Sequence, residues 1–328
     1  MKRILYRLFA LLMLLSLCLL ASACADGGDR TPSENDPDHH PAPPVVASEG
    51  LEFNINYLGT FYAVTGIGEC SDKQIVIPDT YEGLPVKYIA EGAFENKTEI
   101  TAVTLPDTVE VIYQNAFYGC ENLTRVDMSA HLRVIYPGAF ALCTSLEYVE
   151  LPATLREIMD SAFLGCTSLD GIMLPEGLTL LDSYAFAGCT SLSEIVIPAT
   201  LNNGISRYCF KECTSLRSVV ISDGIDVIWE SAFEGCTSLA ELDLGEAMRT
   251  LWGDCFKNCT SLVSVTLPAS MRQIREGAFH GCSSLAEVTF TSKDGWVGDG
   301  NRFNLDDPRK NAEKLTDTMF SHSWWVEE

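Results

Sequence analysis

Eight cysteines recur at a fixed distance from a phenylalanine. The stretch AFLGCTSL at residues 162–169 returns with small changes, and each copy places a cysteine three residues after its phenylalanine. Thiols in such a row could bind a metal, and an even number of cysteines in an exported protein could also form disulfides. This thiol column consists of Cys120, Cys143, Cys166, Cys189, Cys213, Cys236, Cys259 and Cys282.

Two cysteine pairs have a closer spacing that could supply two zinc ligands each. They are Cys209 with Cys213 in CFKEC, and Cys255 with Cys259 in CFKNC. Cys209 and Cys255 replace the alanine that precedes the phenylalanine in most other copies. A small buried residue is therefore the favoured interpretation at both positions.

Recognised catalytic motifs are absent from the sequence. There is no G-x-S-x-G, no H-E-x-x-H and no phosphate-binding glycine loop, and none of the five histidines has a triad-like spacing. We predict that the protein is not an enzyme and has no cofactor or metal. The acidic segment 294–307 has oxygen ligands for calcium but fails the EF-hand spacing, so a solvated loop is favoured there and calcium stays an alternative.

The charge balance limits the possible partners. The chain has 45 acidic and 22 basic residues, for a net charge of −23. Nucleic acid and anionic lipid headgroups need Lys and Arg to neutralise their phosphates, so neither is an expected direct ligand.

An internal repeat of 23 residues positions the cysteines. A period in this range is typical of leucine-rich repeats, whose units are too small to bury their own apolar face and must stack on one another. One spacing is 24 residues, which indicates an inserted residue near Asn202. Nine phenylalanines mark the repeat: Phe94, Phe117, Phe140, Phe163, Phe186, Phe210, Phe233, Phe256 and Phe279.

Apolar residues occupy fixed positions in each repeat and must point inward. One stands five residues before the phenylalanine and another six after it, as in Ile158 and Leu169. Pairs such as Val149 and Leu151 stand on either side of an outward residue, which predicts a short strand that a proline then ends. We therefore predict a mostly β solenoid of the α/β class, a leucine-rich repeat of about nine 23-residue rungs with one parallel sheet and caps at both ends.

The stacking geometry bears on the thiol column. Cysteines in successive rungs have Cα atoms within the ~4.4–6.8 Å that a disulfide needs, but their Cβ vectors point the same way. A buried thiol behaves as a small hydrophobic group with a weak S–H donor. Packing is therefore favoured over disulfides and over metal binding, and the sequence leaves all three open.

The unit L-x-x-V-x-L-P followed by I-x-x-x-A-F-x-G-C-T-S-L resembles the BspA-like class of bacterial leucine-rich repeats. The resemblance covers about residues 75–290, with Lys97 in place of cysteine in the first copy. It implies a solenoid over that range and a role in adhesion or in interaction with host or cell surfaces.

Both ends of such a solenoid need protection, because a terminal rung exposes unpaired strand edges. Residues 51–74 are the predicted N-terminal cap, and the alternation of apolar and polar residues over 51–70 predicts a hairpin. Residues 291–328 are the predicted C-terminal cap, with Trp296, Trp324 and Trp325 expected to pack on the last rung.

The run DPRKNAEKL in the C-terminal cap predicts a short helix. Asp307 suits the N-cap position, and Pro308 suits the first turn, where its missing N–H costs no hydrogen bond. Ala312 and Leu315 would form the apolar face.

The N-terminus indicates export. Residues 1–23 combine positive residues, an apolar run and small residues before Cys24, which is typical of a secretory signal. The sequence LASAC resembles the bacterial lipobox, which implies that Cys24 is the lipidated first residue of the mature protein. An uncleaved membrane anchor is the less favoured alternative. Residues 24–50 are acidic and rich in Pro, Gly and Ser, which predicts a disordered tether.

Two outward surfaces are candidates for ligand binding. The aromatic column, four residues before the phenylalanine, contains Tyr113, Tyr136, Met159, Trp229 and Trp252. Repeated aromatic residues at a surface either contact a partner or stack on one another. The sheet face, formed by the outward residues of the predicted strand, includes Tyr148, Glu194, Glu241 and Asp243.

These features predict an exported, lipid-anchored protein of the cell envelope or cell surface. It would bind a protein or glycan partner through its repeat surface. The alternative is a structural envelope scaffold without a dedicated ligand.

Overall fold

The chain winds into the predicted solenoid. The computed structural model describes residues 46–292, 296–298, 301–302, 307–316 and 324–326. These residues form a mostly β coil of about 10 turns of roughly 23 residues, with parallel sheets and one helix. The predicted fold class is confirmed.

The N-terminal end is closed by a hairpin, as the alternation of apolar and polar residues predicts. Strand β1 (Glu52–Ile55) pairs antiparallel with β2 (Tyr62–Gly66), and β2 pairs parallel with β5 (Leu84–Ile89). Strands β3 (Gln74–Val76) and β4 (Thr80–Tyr81) belong to the first rung. The hairpin therefore covers the edge of β5 that would otherwise be unpaired.

Most rungs contribute two short strands, whereas the sequence predicted one. The rung of Phe210 is the exception among the described residues, with a single bridge at Ile205 in place of the second strand. The predicted strand follows the phenylalanine and builds the sheet face. Its copies are β6 (Ala102–Thr104), β8 (Arg125–Asp127), β10 (Tyr148–Val149), β12 (Gly171–Ile172), β14 (Glu194–Ile197), β15 (Ser218–Ile221), β17 (Glu241–Asp243), β19 (Ser264–Leu267) and β21 (Glu287–Phe290).

The second strand precedes the phenylalanine and forms a separate parallel ladder, the side ladder. It is only two residues long, too short for a period-2 alternation to be visible in the sequence. Its copies are β7 (Val111–Ile112), β9 (Val134–Ile135), β11 (Glu157–Ile158), β13 (Leu180–Leu181), β16 (Val227–Ile228), β18 (Thr250–Leu251) and β20 (Gln273–Ile274).

Stacked phenylalanine rings form the centre of the core. All nine reference phenylalanines are fully buried. Successive rings lie parallel, with centroids 5.1–5.6 Å apart and interplanar angles of 3–11°. The parallel register brings equivalent residues of adjacent rungs into contact, so one side chain type repeated along the sequence becomes one continuous stack.

In every rung, the residue two positions before the phenylalanine and the residue two positions after it both adopt the left-handed backbone conformation. This explains the glycine of the A-F-x-G-C motif. A Cβ at Gly119 would lie 2.4 Å from the Asn96 side-chain oxygen of the preceding rung. Where another residue replaces glycine, that residue still adopts the left-handed conformation at a steric cost, as at Leu142 (φ 59°), Tyr184 (φ 57°) and Tyr208 (φ 58°).

The C-terminal helix forms as predicted. Helix α1 (Pro308–Thr316) begins after Asp307, whose carboxylate accepts hydrogen bonds from the N–H groups of Arg309 (3.2 Å) and Lys310 (3.4 Å). Ala312 and Leu315 are buried. The capping residue and the apolar face therefore match the sequence pattern.

The remaining described strands also lie at the C-terminal end. Strand β24 (Trp324–Val326) pairs antiparallel with β20 of the last rung and with β22 (Trp296–Gly298), which pairs with β23 (Asn301–Arg302). The backbone of the predicted cap therefore covers the last strand of the side ladder. The placement of the three tryptophan side chains lies outside the described residues.

Candidate functional site

The thiol column lies inside the coil and connects adjacent rungs. Each of its eight Sγ atoms is buried and donates to the carbonyl oxygen of the reference phenylalanine one rung earlier, at 3.0–3.3 Å. Cys166, for example, donates to Phe140 at 3.2 Å. A buried carbonyl keeps a second lone pair after accepting one backbone bond, and the weak S–H donor occupies it.

Burial raises the pKa of most thiols in the column and so keeps them protonated. Removal from water raises the pKa of Cys120, Cys166 and Cys213 to about 12, and it raises the pKa of Cys143 and Cys236 well above the ordinary value. The thiolate is the form that attacks electrophiles and binds metals. In this environment the column therefore has little nucleophilic or metal-binding character at neutral pH.

The two closer pairs have the same character. Cys209 and Cys255 are fully buried, and burial raises the pKa of each thiol well above the ordinary value. Across residues 46–292 and the described parts of the C-terminal cap, the eleven cysteines are free thiols, and no three His, Cys, Asp or Glu side chains meet as a metal site.

The aromatic column divides into two stacks. Tyr113 and Tyr136 have ring centroids 4.9 Å apart, and Trp229 and Trp252 have ring centroids 4.8 Å apart. The Arg275 guanidinium lies 4.5 Å from the ring centroid of Trp252. These side chains are half-buried, as is Met159. Stacking on neighbours therefore accounts for much of the apolar area that the sequence places at this surface.

Apolar side chains on the sheet face are exposed to a larger fraction than those of the aromatic column. Tyr148 (40% exposed), Met173 (45%) and Val196 (44%) lie on consecutive rungs, and Val220 pairs with Val196 in the next. We name Met173, Val196 and Val220 the apolar strip. All three stand ten residues after their phenylalanine, at an outward position of the strand that the sequence predicts, but none of them is among the predicted site residues.

Acidic side chains surround the apolar strip. Glu150 and Asp243 occupy the same position of the rung on either side of it. Glu194 and Glu241, both exposed, stand in the neighbouring outward position of their strands. An apolar centre with a charged rim is the usual composition of a protein–protein interface.

Several predictions fall on residues outside the described part of the chain. They concern the signal at 1–23 with its lipidated Cys24, most of the tether at 24–50, and most of the acidic segment at 294–307. Among the described residues, no helix is long and apolar enough to cross a membrane.

Comparison with known proteins gives one family. The model of the BspA-type leucine-rich repeat region matches residues 87–204 and 203–298, with 6 copies. No curated protein matches the chain.

Solved structures with a similar fold come from several bacteria. A leucine-rich repeat protein of T. pallidum is 22% identical, with a TM-score of 0.48 over 83% of this chain and 96% of that one. A leucine-rich repeat protein of Bacteroides ovatus is 24% identical, with a TM-score of 0.40 over 75% and 88%. The pneumococcal vaccine antigen PcpA is 17% identical, with a TM-score of 0.45 over 75% and 81%.

Proposed function

We propose that this chain, which belongs to the BspA-type leucine-rich repeat family, is an exported surface protein that binds a partner protein through its sheet face. The apolar strip carries the proposal. Isolated apolar side chains are normal at a surface, but a row of them on consecutive rungs is typical of an interaction site.

Charge supports a partner with a basic rim. The net charge is −23, and the acidic side chains around the apolar strip add local negative potential. A partner with Lys and Arg around an apolar centre would associate faster and would exclude acidic competitors. Adhesion to a host or cell surface is the biological form of this proposal.

The binding test uses purified residues 46–328 on cell monolayers and extracellular matrix. The variant carries Met173→Lys and Val196→Lys. A lysine in the centre of an interface replaces a buried apolar contact with a charge that has to be desolvated on binding. We expect at least about a tenfold loss of affinity, which is ~1.4 kcal/mol. Val263→Lys, at an exposed apolar side chain outside the strip (54% exposed), is the matched control. Equal binding by the folded double variant would support the scaffold alternative.

Membrane attachment through Cys24 is a separate part of the proposal. A lipidated Cys24 followed by the tether of residues 24–50 would hold the solenoid away from the membrane. Cys24→Ser in the full chain should release the protein into the soluble fraction. If the variant stays with membranes, the apolar N-terminal run itself is the anchor.

A further inference from the structure

The side ladder is interrupted once, where the sequence has its inserted residue. Strand β13 ends one ladder and β16 begins the next, and between them a single bridge joins Ile205 to Ile228. The segment Leu201–Ile205 reads LNNGI, whereas the preceding rung has LTLL at residues 178–181. The extra residue therefore displaces a strand from the ladder.

The interruption leaves a backbone donor without its usual acceptor. In the regular rungs the N–H at this position donates to the rung before it, as Thr179 does to Arg156 (2.8 Å) and Asn202 to Thr179 (3.0 Å). Asp226 is the next residue in this series, and among the described residues its N–H makes no such bond. Arg249, one rung later, again donates to Asp226 (2.8 Å). The free N–H requires water or a ligand as its acceptor.

An open, shallow depression with a volume of about 570 Å³ lies at this break. A depression of this shape suits an extended ligand lying along the surface, whereas a small molecule needs a more enclosed site. Asn202, Asn203, Arg207, Asp226 and Trp229 are among the residues that line it. We name it the insertion groove.

Trp229 forms a fixed wall of the insertion groove. Its Nε1 donates to the Asn203 carbonyl at 2.7 Å, and one face of its ring stacks on Trp252. On the other side, the aromatic column holds the small Ser206, and the exposed Arg207 guanidinium lies 5.9 Å from the Trp229 ring centroid. Gly204 allows the two chain segments to approach, because a Cβ there would lie 2.3 Å from the Val227 oxygen. The inserted residue therefore positions an indole beside polar groups.

The lining chemistry selects the ligand. One arginine and one aspartate balance each other in charge, and the asparagines supply both donors and acceptors. A strongly anionic ligand would meet only one cation on a chain with net charge −23. A neutral sugar instead has hydroxyl groups that both donate and accept, and an apolar C–H face that packs against an aromatic ring.

We propose that the insertion groove binds a neutral oligosaccharide. One ring of the ligand packs against Trp229 in place of the exposed Arg207 side chain, which turns toward solvent. The ligand's hydroxyl groups bond to the Asp226 carboxylate, the Asp226 N–H and the Asn202 and Asn203 amides. This ligand class extends the proposed binding function to a second place on the repeat surface, separate from the apolar strip.

The test applies the full mature chain to an array of neutral, sialylated and sulfated oligosaccharides. We expect binding to neutral members, and calorimetric titration with the tightest of these should show at least a tenfold loss of affinity for Asp226→Ala. Asp170→Ala, an exposed acidic residue elsewhere on the solenoid, is the control and should bind like the wild type.

A second variant removes the groove while keeping the fold. It replaces Asn202, Asn203 and Gly204 with Thr-Leu, the pair found at Thr179 and Leu180 in the preceding rung. This restores the 23-residue period, so thermal stability should be kept or raised while sugar binding is lost.

Three results would overturn the proposal: no binding to any neutral oligosaccharide, a preference for charged ones, or full binding by the restored-period variant. The double variant at Met173 and Val196 separates the two proposals. It should lose the partner protein and keep the sugar.

Discussion

The thiol column and the aromatic column lie in the same rungs but follow different rules. Inside, phenylalanine appears in all nine copies and cysteine in eight, and each forms one continuous row of contacts. Outside, the equivalent positions change from Tyr113 and Tyr136 through Met159 and Ser206 to Trp229 and Trp252. Parallel stacking makes each interior residue the neighbour of its own copies, so a misfit in one rung affects the next.

Interior positions therefore determine stability, and outward positions determine binding. The interior must repeat because ring stacks and S–H bonds need matching partners, whereas a surface position can change without disturbing the coil. The apolar strip and the insertion groove both occur where the outward residues or the period depart from the repeat. We expect mutations inside to affect folding and mutations outside to affect binding.

The largest expected effect is in the phenylalanine stack. Phe163 stacks on Phe140 (5.3 Å) and on Phe186 (5.2 Å), and it is fully buried. Phe163→Ala should lower the free energy of unfolding by about 3–5 kcal/mol, because it removes buried apolar area and leaves a cavity. Urea unfolding followed by circular dichroism measures the loss. A loss below about 1 kcal/mol would contradict a tightly packed interior.

High pH tests the thiol column. Cys166 has a pKa of about 12 when folded, against an ordinary 9.0. Above pH 9 the unfolded chain loses the Cys166 proton while the folded chain keeps it, so its contribution to stability is complete below pH 9 and falls between pH 9 and 12. In the Cys166→Ala variant the free energy of unfolding should fall less steeply over this pH range, by about 1 kcal/mol per pH unit. Equal slopes for both proteins, in urea unfolding at pH 8 to 11, would mean that this thiol is not buried.

The aromatic column should contribute less than the interior. Tyr113 is half-buried and contacts Tyr88 and Tyr136. Tyr113→Ala should cost about 1–2 kcal/mol, from the lost aromatic pairs and part of the buried area. The comparison between the two columns fails if this variant is as unstable as Phe163→Ala under the same denaturant titration.

The smallest effect has the opposite sign. Leu142 stands in the left-handed region (φ 59°) and is exposed, at a position that holds glycine in five of the other rungs. Leu142→Gly should raise stability by about 0.5–1 kcal/mol, because glycine adopts this conformation without steric cost. Gly165→Ala, at the same position of the next rung, should lower the melting temperature. A stabilising Gly165→Ala would refute the backbone argument.

Much of the fold follows from the sequence because the repeat makes each pattern visible many times. The period, the inward columns, the N-terminal hairpin and the helix after Asp307 were all predictable. The side ladder was not, because a two-residue strand has no alternation to detect. The role of the glycine that stands two residues after the phenylalanine in five rungs also depends on the approach of adjacent rungs, which only the structure provides.

The surfaces were less predictable than the core. A column of residues such as Tyr113 and Trp229 has the same spacing whether its members stack on each other or bind a partner. The insertion groove depends on the missing hydrogen bond at Asp226, a tertiary feature that a single extra residue in the sequence does not specify.

The central claim is that the cysteine column stabilises the coil as buried free thiols. Counting the reactive thiols tests this claim most directly. A protein of residues 46–328, kept without reductant, would be alkylated with iodoacetamide first in its native state and then after unfolding in guanidinium chloride. Mass spectrometry would count the adducts in each state. We predict that the native protein reacts only at the partly exposed Cys70, and that unfolding without reductant exposes all eleven cysteines. Cysteines that stay unreactive after unfolding, until a reductant is added, would show disulfides and contradict the account.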